Sequence, residues 1–117
     1  MPVVLVVEDE FLIRMNTVNM VEEAGYDTLE AGNADQAMEI LERHPEVAIL
    51  FTDINMPGSI NGLQLAEAET EHWPHVRVVL TSGRYLLRDE GLPDDGRFIL
   101  KPFDGAEVAK VLHSLAA

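Results

Sequence analysis

Short apolar runs alternate along this chain with longer stretches in which apolar residues return every three or four positions. Val3–Val7 and residues 47–52 and 76–81 are the clearest runs, and residues 26–31 and 98–100 are shorter ones. Runs of this length bounded by polar or turn residues read as buried strands. The stretch from about 10 to 24 carries Leu12, Ile13, Met15, Val18, Val21 and Ala24 at helical spacing and stops at Gly25. Asn33 can cap a second helix to about His44, burying Ala37, Ile40 and Leu41 before Pro45 ends it. A third helix opens at Asn61 or Gly62, carries Leu63, Leu65, Ala66 and Ala68, and ends near Trp73-Pro74. Gly105–Ala116 is a final amphipathic helix with Val108, Val111, Leu112 and Leu115.

Strands alternating with helices of this length predict βαβ units, hence an α/β fold with a parallel sheet and helices on both faces. Residues 84–96 break the rhythm. They hold Gly91, Pro93, Asp94, Asp95 and Gly96, with only Tyr85, Leu86, Leu87 and Leu92 as apolar content. A short or irregular fourth helix followed by loop is expected there. The 117 residues suit a single domain, 1–117. A chain of that size buries roughly two-thirds of its unfolded surface without staples.

Charge narrows the partners. The net charge is −13, with only eight Lys and Arg. Direct nucleic-acid binding relies on such cations to neutralise phosphates, so it is not expected. There is no cysteine, which excludes disulfides and thiolate metal sites. No apolar stretch is long enough to span a bilayer and the start lacks a basic leader, so membrane insertion is not expected and the cytoplasm is the default.

The chemistry gathers at strand ends. Asp53 closes the third run, with Pro57 and Gly58 close behind; Glu8 and Asp9 close the first; Lys101 follows the fifth. Open parallel sheets place their ligand crevices at the carboxyl ends of strands, so these residues converge if the strands are neighbours. Two carboxylates at about 4 Å and an effective dielectric near 20 repel by roughly 4 kcal/mol. Protonation or a bound cation relieves that. A hard divalent ion such as Mg²⁺ suits carboxylates that leave room for water and phosphate oxygens. Lys101 can pair with one acid at rest and with a phosphoryl group later, and Asp53 is then a candidate nucleophile forming an aspartyl-phosphate.

Four motifs carry a family resemblance: Val7-Glu8-Asp9-Glu10, Thr52-Asp53-Ile54-Asn55-Met56-Pro57-Gly58, Leu80-Thr81-Ser82-Gly83 and Leu100-Lys101-Pro102-Phe103. With them the whole chain resembles the receiver domain of two-component response regulators, of the single-domain, chemotaxis-regulator-like type. The resemblance implies a doubly wound, flavodoxin-like, five-stranded parallel sheet in the order 2-1-3-4-5. It implies that Asp53 is the phosphoacceptor. Asp9 would bind Mg²⁺ directly, Glu8 mainly through water, and Asn55 through its backbone carbonyl. Thr81 and Lys101 would hold phosphoryl oxygens, with Ser82 secondary, and Phe98 falls at the aromatic switch position. A sensor histidine kinase or phosphotransfer protein would donate the phosphoryl group. A downstream protein target would read the surface of the fourth helix, fifth strand and final helix. Such a protein is a signalling switch that takes part in its own phosphorylation and dephosphorylation, not a conventional enzyme. The Met1 start favours a stand-alone protein over a receiver cut from a hybrid kinase.

The chain departs from the family pattern in three places. Residues 56–62 are about one residue longer than the commonest loop, Phe98 lacks a tyrosine hydroxyl, and the fourth helical segment is weak. Simpler readings also exist residue by residue. Glu8-Asp9 could be a solvated turn or helix cap, Asp53 a helix cap, and Thr81 and Ser82 turn residues. Met15, Met20 and Met38 read as helix packing, and His44, His72, His75 and His113 as surface residues. Among other functions, a haloacid-dehalogenase-type phosphatase needs a second aspartate where Asn55 stands. A flavodoxin-like FMN carrier needs a hydroxyl-rich loop where Glu8-Asp9-Glu10 stands.

Overall fold

A computed structural model of the chain describes residues 2–54, 62–82 and 96–116. The elements run β1 (Val3–Val7), α1 (Phe11–Glu23), β2 (Asp27–Ala31), α2 (Ala34–Arg43), β3 (Val47–Asp53), α3 (Gly62–His72), β4 (Arg77–Ser82), β5 (Arg97–Leu100) and α4 (Gly105–Ala116). All strand pairs are parallel and the sheet order is β2-β1-β3-β4-β5. The expected strands are all present, with ends that differ by a single residue. Both the segment expected to hold a short fourth helix and the long loop after Asp53, with Asn55, lie outside the described residues, except for Gly96 and Gly62 at their edges.

Alternation along each strand splits the core in two. Val4, Val6, Ile49, Phe51, Val79 and Ile99 face α1 and α4, where Val21, Val108, Leu112 and Leu115 meet them. Leu5, Val7 and Leu50 face the other way, onto Ala37 and Leu41 of α2 and Leu65 of α3. Successive side chains of a strand point to opposite faces, so apolar runs with no polar break are what a sheet covered on both sides requires. Local signals end the helices where the sequence puts them. Asn33 accepts a hydrogen bond from the Gln36 amide at 2.8 Å as the cap of α2. Gly25 takes φ 102° just past α1, a conformation that favours glycine.

One expectation of packing is corrected. Leu12 and Met15 share the helical spacing of α1, yet they are 73% and 44% exposed, and Phe11 is 60% exposed. The buried positions of α1 are Thr17 and Val21, with Val18 and Met20 packed behind them. Because α1 starts at the carboxyl edge of β1 and runs back along the sheet, its later turns have sheet beneath them and its first turn does not. The buried Thr17 hydroxyl donates to the Ile13 carbonyl at 2.9 Å, so its polarity is satisfied within the helix.

Candidate functional site

The strand order creates the site. β1 has β2 on one side and β3 on the other, and the crevice at such a switch point opens above the carboxyl ends of the strands. Val7 pairs with Thr52 and Asp53 with Thr81, so Glu8, Asp53 and Thr81 stand abreast on three neighbouring strands. Lys101 follows β5, and its amide donates to the Ser82 carbonyl at 2.9 Å, which holds it against the end of β4. The Ile54 amide donates to the Thr81 carbonyl at 2.9 Å and fixes the chain just past Asp53 in the same way.

One carboxylate oxygen each from Glu8, Asp9 and Asp53 lies within 4.8 Å of the others. Glu8 is 4% and Asp53 6% exposed, while Asp9 faces solvent. The Lys101 ammonium donates to Glu8 Oε1 at 2.7 Å and stands 3.2 Å from Asp53 Oδ2. The other Glu8 oxygen accepts from the Glu10 amide at 3.1 Å. Burial pushes the Glu8 carboxyl above its ordinary 4.5 and the Asp53 charge adds to that, against the opposing hydrogen bonds from Lys101 and the Glu10 amide. Burial pulls Lys101 the other way, but the hydrogen bond to Glu8 and the fields of Asp53 and Glu8 outweigh it, so its ammonium titrates above the ordinary 10.5.

The donor set fits a hard cation: three carboxylates, one of them open to water, with no thiolate or imidazole among them. A single buried carboxylate beside an ammonium is an ion pair and no more. Three within reach of one point, only partly neutralised by one lysine, leave negative charge for a cation to meet.

The structure brings Glu8, Asp9, Asp53 and Lys101 together and sets Thr81 beside Asp53. Ser82 is wholly buried one residue further along β4. Phe98 is half-buried on β5, opposite Leu80, and packs on a cluster of Ile54, Ala66, Val78 and Leu80. Two simpler readings do not describe these residues. Glu8 is buried and ion-paired, which is not a solvated turn, and Asp53 belongs to β3 and caps no helix among the described residues. Sequence reasoning passed over Arg14. Its guanidinium donates to the Glu8 carbonyl at 2.8 Å and to Glu30 Oε1 at 3.1 Å. The available signal was a lone arginine one turn past the acids, on a helix start that is otherwise apolar.

The comparisons with known proteins agree with this geometry. A family model described as the response regulator receiver domain matches residues 4–113. The response regulator receiver protein CpdR of Brucella abortus is 32% identical over 103 residues, which cover 86% of this chain and 84% of that protein. The chemotaxis protein CheY homolog of Campylobacter jejuni is 32% identical over 105 residues, covering 85% of this chain and 80% of that one. The signal receiver domain of an HD domain-containing protein from Pseudomonas fluorescens Pf-5 superposes with a TM-score of 0.87. That match covers 98% of this chain and 94% of the other at 21% identity, a likeness of fold.

Proposed function

This chain belongs to the response regulator receiver domain family, and from that premise we propose that Asp53 is the residue that accepts the phosphoryl group. A receiver of a two-component system is a signalling switch, not a conventional enzyme. An Asp53 carboxylate oxygen attacks the phosphorus of a phosphohistidine, the N–P bond breaks, and the imidazole leaves and takes up a proton. The product is an aspartyl-phosphate. The observation that carries this reading is the convergence of Glu8, Asp9 and Asp53 within 4.8 Å with Lys101 between two of them.

Each neighbour has a task in this reading. Asp9 and Asp53 would hold Mg²⁺, with the Asn55 backbone carbonyl as the further ligand that the family resemblance implies and Glu8 reaching the ion through water. Such an ion would offset the charge of the acids and supply positive charge to phosphoryl oxygens. Lys101 pairs with one phosphoryl oxygen and the Thr81 hydroxyl with another, Ser82 being secondary. Phe98 repacks behind Thr81, since its ring has no hydroxyl with which to form a new hydrogen bond.

The donor is a sensor histidine kinase or a phosphotransfer protein, and the setting is cytoplasmic. No helix among the described residues is long and apolar enough to cross a membrane. The downstream target is a protein that reads the face of β5 and α4. A groove of about 420 Å³ between β5 and α4, lined by Phe98, Lys110 and Val111 among others, supports that choice of face.

Intact-mass analysis after incubation with Mg²⁺ and a small acyl-phosphate donor tests the assignment. One labile phosphoryl adduct is expected on the parent and none on Asp53→Asn. Equal labelling of the variant would move the acceptor elsewhere.

A further inference from the structure

We propose that Arg14 is a positioning residue for the acid pair after β1: its guanidinium fixes the Glu8–Asp9 peptide and so aims the Asp9 carboxylate at the cation site. The inference rests on the reading of Glu8, Asp9 and Asp53 as that site. Asp9 is the acid that most needs such help. It is exposed, so packing does not set its direction, and among the described residues no hydrogen bond holds its carboxylate. Glu8 and Asp53, by contrast, are buried and tied to Lys101.

The geometry supplies what Asp9 lacks. The last ladder bond of β1 runs from the Glu8 amide to the Ala31 carbonyl at 3.1 Å. Beyond it the Glu8 carbonyl takes Arg14 Nη1 at 2.8 Å. That carbonyl and the Asp9 N–H are two ends of one planar peptide, so holding the first fixes the plane from which Asp9 departs.

The guanidinium is itself held from three sides. Its Nε donates to Glu30 on β2 at 3.1 Å, it lies 5.6 Å from the centre of the Phe11 ring, and the side chain is only 19% exposed. A planar fork holds a carbonyl and a carboxylate in one fixed geometry, whereas a lysine offers a point charge on a flexible stem. Gly32 completes the seat: a Cβ at that position would stand 3.2 Å from Nη1 and 3.4 Å from Gln36 Oε1.

The sign of the effect separates positioning from plain electrostatics. Removing a cation near a metal site removes repulsion and should tighten Mg²⁺ binding. Removing a group that aims a ligand should weaken it, typically by ten- to a hundredfold for an outer partner of a metal ligand.

Calorimetric Mg²⁺ titration of the full chain and its variants tests this, with thermal unfolding in EDTA run in parallel. Arg14→Met is expected to bind about tenfold more weakly. Arg14→Lys, which can still reach the Glu8 carbonyl, should fall between that variant and the parent. Gly32→Ala should shift affinity in the same direction as Arg14→Met, by less.

Unchanged or tighter binding in Arg14→Met, with a lowered unfolding midpoint in EDTA, makes Arg14 structural only and overturns the proposal. An Arg14→Lys no tighter than Arg14→Met overturns it too. If Arg14→Met does not fold, unchanged affinity in Gly32→Ala overturns it. A parent that binds no Mg²⁺ overturns the reading of the site along with it.

Discussion

Lys101 donates its shorter hydrogen bond to Glu8, at 2.7 Å, across a separation of 93 residues. Its distance to Asp53 is 3.2 Å. The lysine therefore ties the end of β5 to the end of β1 while standing beside Asp53, the proposed phosphoacceptor. Two buried acids share one ammonium, and the exposed Asp9 adds a third negative charge close by. The resting site is thus under-neutralised by design of its own side chains, a state that favours an incoming cation. In the proposed reaction the lysine would exchange one of these partners for a phosphoryl oxygen.

Lys101→Met is expected to separate those two roles. Breaking a buried ion pair by removing one partner costs about 3–5 kcal/mol. Lys101 keeps 20% of its side chain exposed, so the expected loss is nearer 2–3 kcal/mol at neutral pH in EDTA. Mg²⁺ affinity should be retained or rise, because a competing cation has gone. Phosphorylation or switching should be impaired. Urea unfolding, calorimetry and phosphodonor labelling read the three effects, and a loss of Mg²⁺ binding would place Lys101 in the support of the acids instead.

The pH dependence follows from the direction of two shifts. Glu8 titrates above 4.5 in the fold, so the folded state holds that proton more tightly than the unfolded chain does. Its stabilising contribution is full below about 4.5 and is lost as pH rises through the folded value. Lys101 titrates above 10.5, so its contribution is full below that value and disappears only at higher pH. Between pH 4 and 8 in EDTA, the stability of the parent minus that of Glu8→Gln is expected to decline with pH and then level off. A difference that grows with pH over that range would mean that the Lys101 pair outweighs burial at Glu8.

Asp9→Ala should weaken the metal site without weakening the fold. The side chain is exposed and has no hydrogen bond among the described residues, and its removal relieves repulsion from Glu8 and Asp53, so stability in EDTA should hold or rise. A ligand present at a hundred times its dissociation constant stabilises a fold by about 2.7 kcal/mol. Most of that Mg²⁺-dependent gain should vanish in the variant. Unfolding with and without Mg²⁺ measures it, and an undiminished gain removes Asp9 from the ligand set.

Much of this arrangement is legible in the sequence because strands buried on both faces leave unbroken apolar runs. Where such a run stops, the next residue is at the edge of the sheet. That logic locates Glu8, Asp53 and Lys101 without any knowledge of their contacts. Pairing is less legible: that Lys101 prefers Glu8 to Asp53 depends on register and reach. Helix faces are harder still. Phe11, Leu12, Ile13 and Met15 make the start of α1 apolar on most sides, so spacing alone cannot choose the stripe that meets the sheet. On α3 the converse holds: Glu69 falls at helical spacing from Leu65 and Ala66 and is wholly buried with them, though its side chain is charged. Arg14 belongs with these cases, because its importance lies in a main-chain carbonyl that no side-chain pattern reveals.

Phe98 allows a separation of packing from chemistry. Its ring is half-buried on Ile54, Ala66, Val78 and Leu80, and Ile54 directly follows Asp53. Truncating a fully buried phenylalanine costs about 3–5 kcal/mol; for a half-buried ring about 2 kcal/mol is expected in Phe98→Ala. The ring lies in the apolar cluster and not among the acids, so Mg²⁺ affinity and the extent of Asp53 labelling should stay within about twofold of the parent. What should change is the response of the β5–α4 face. Amide chemical shifts of residues 97–100 and 108–115 should move on phosphorylation of the parent and move less in Phe98→Ala. Equal movement in both would show that the signal reaches that face by a route that does not use this ring.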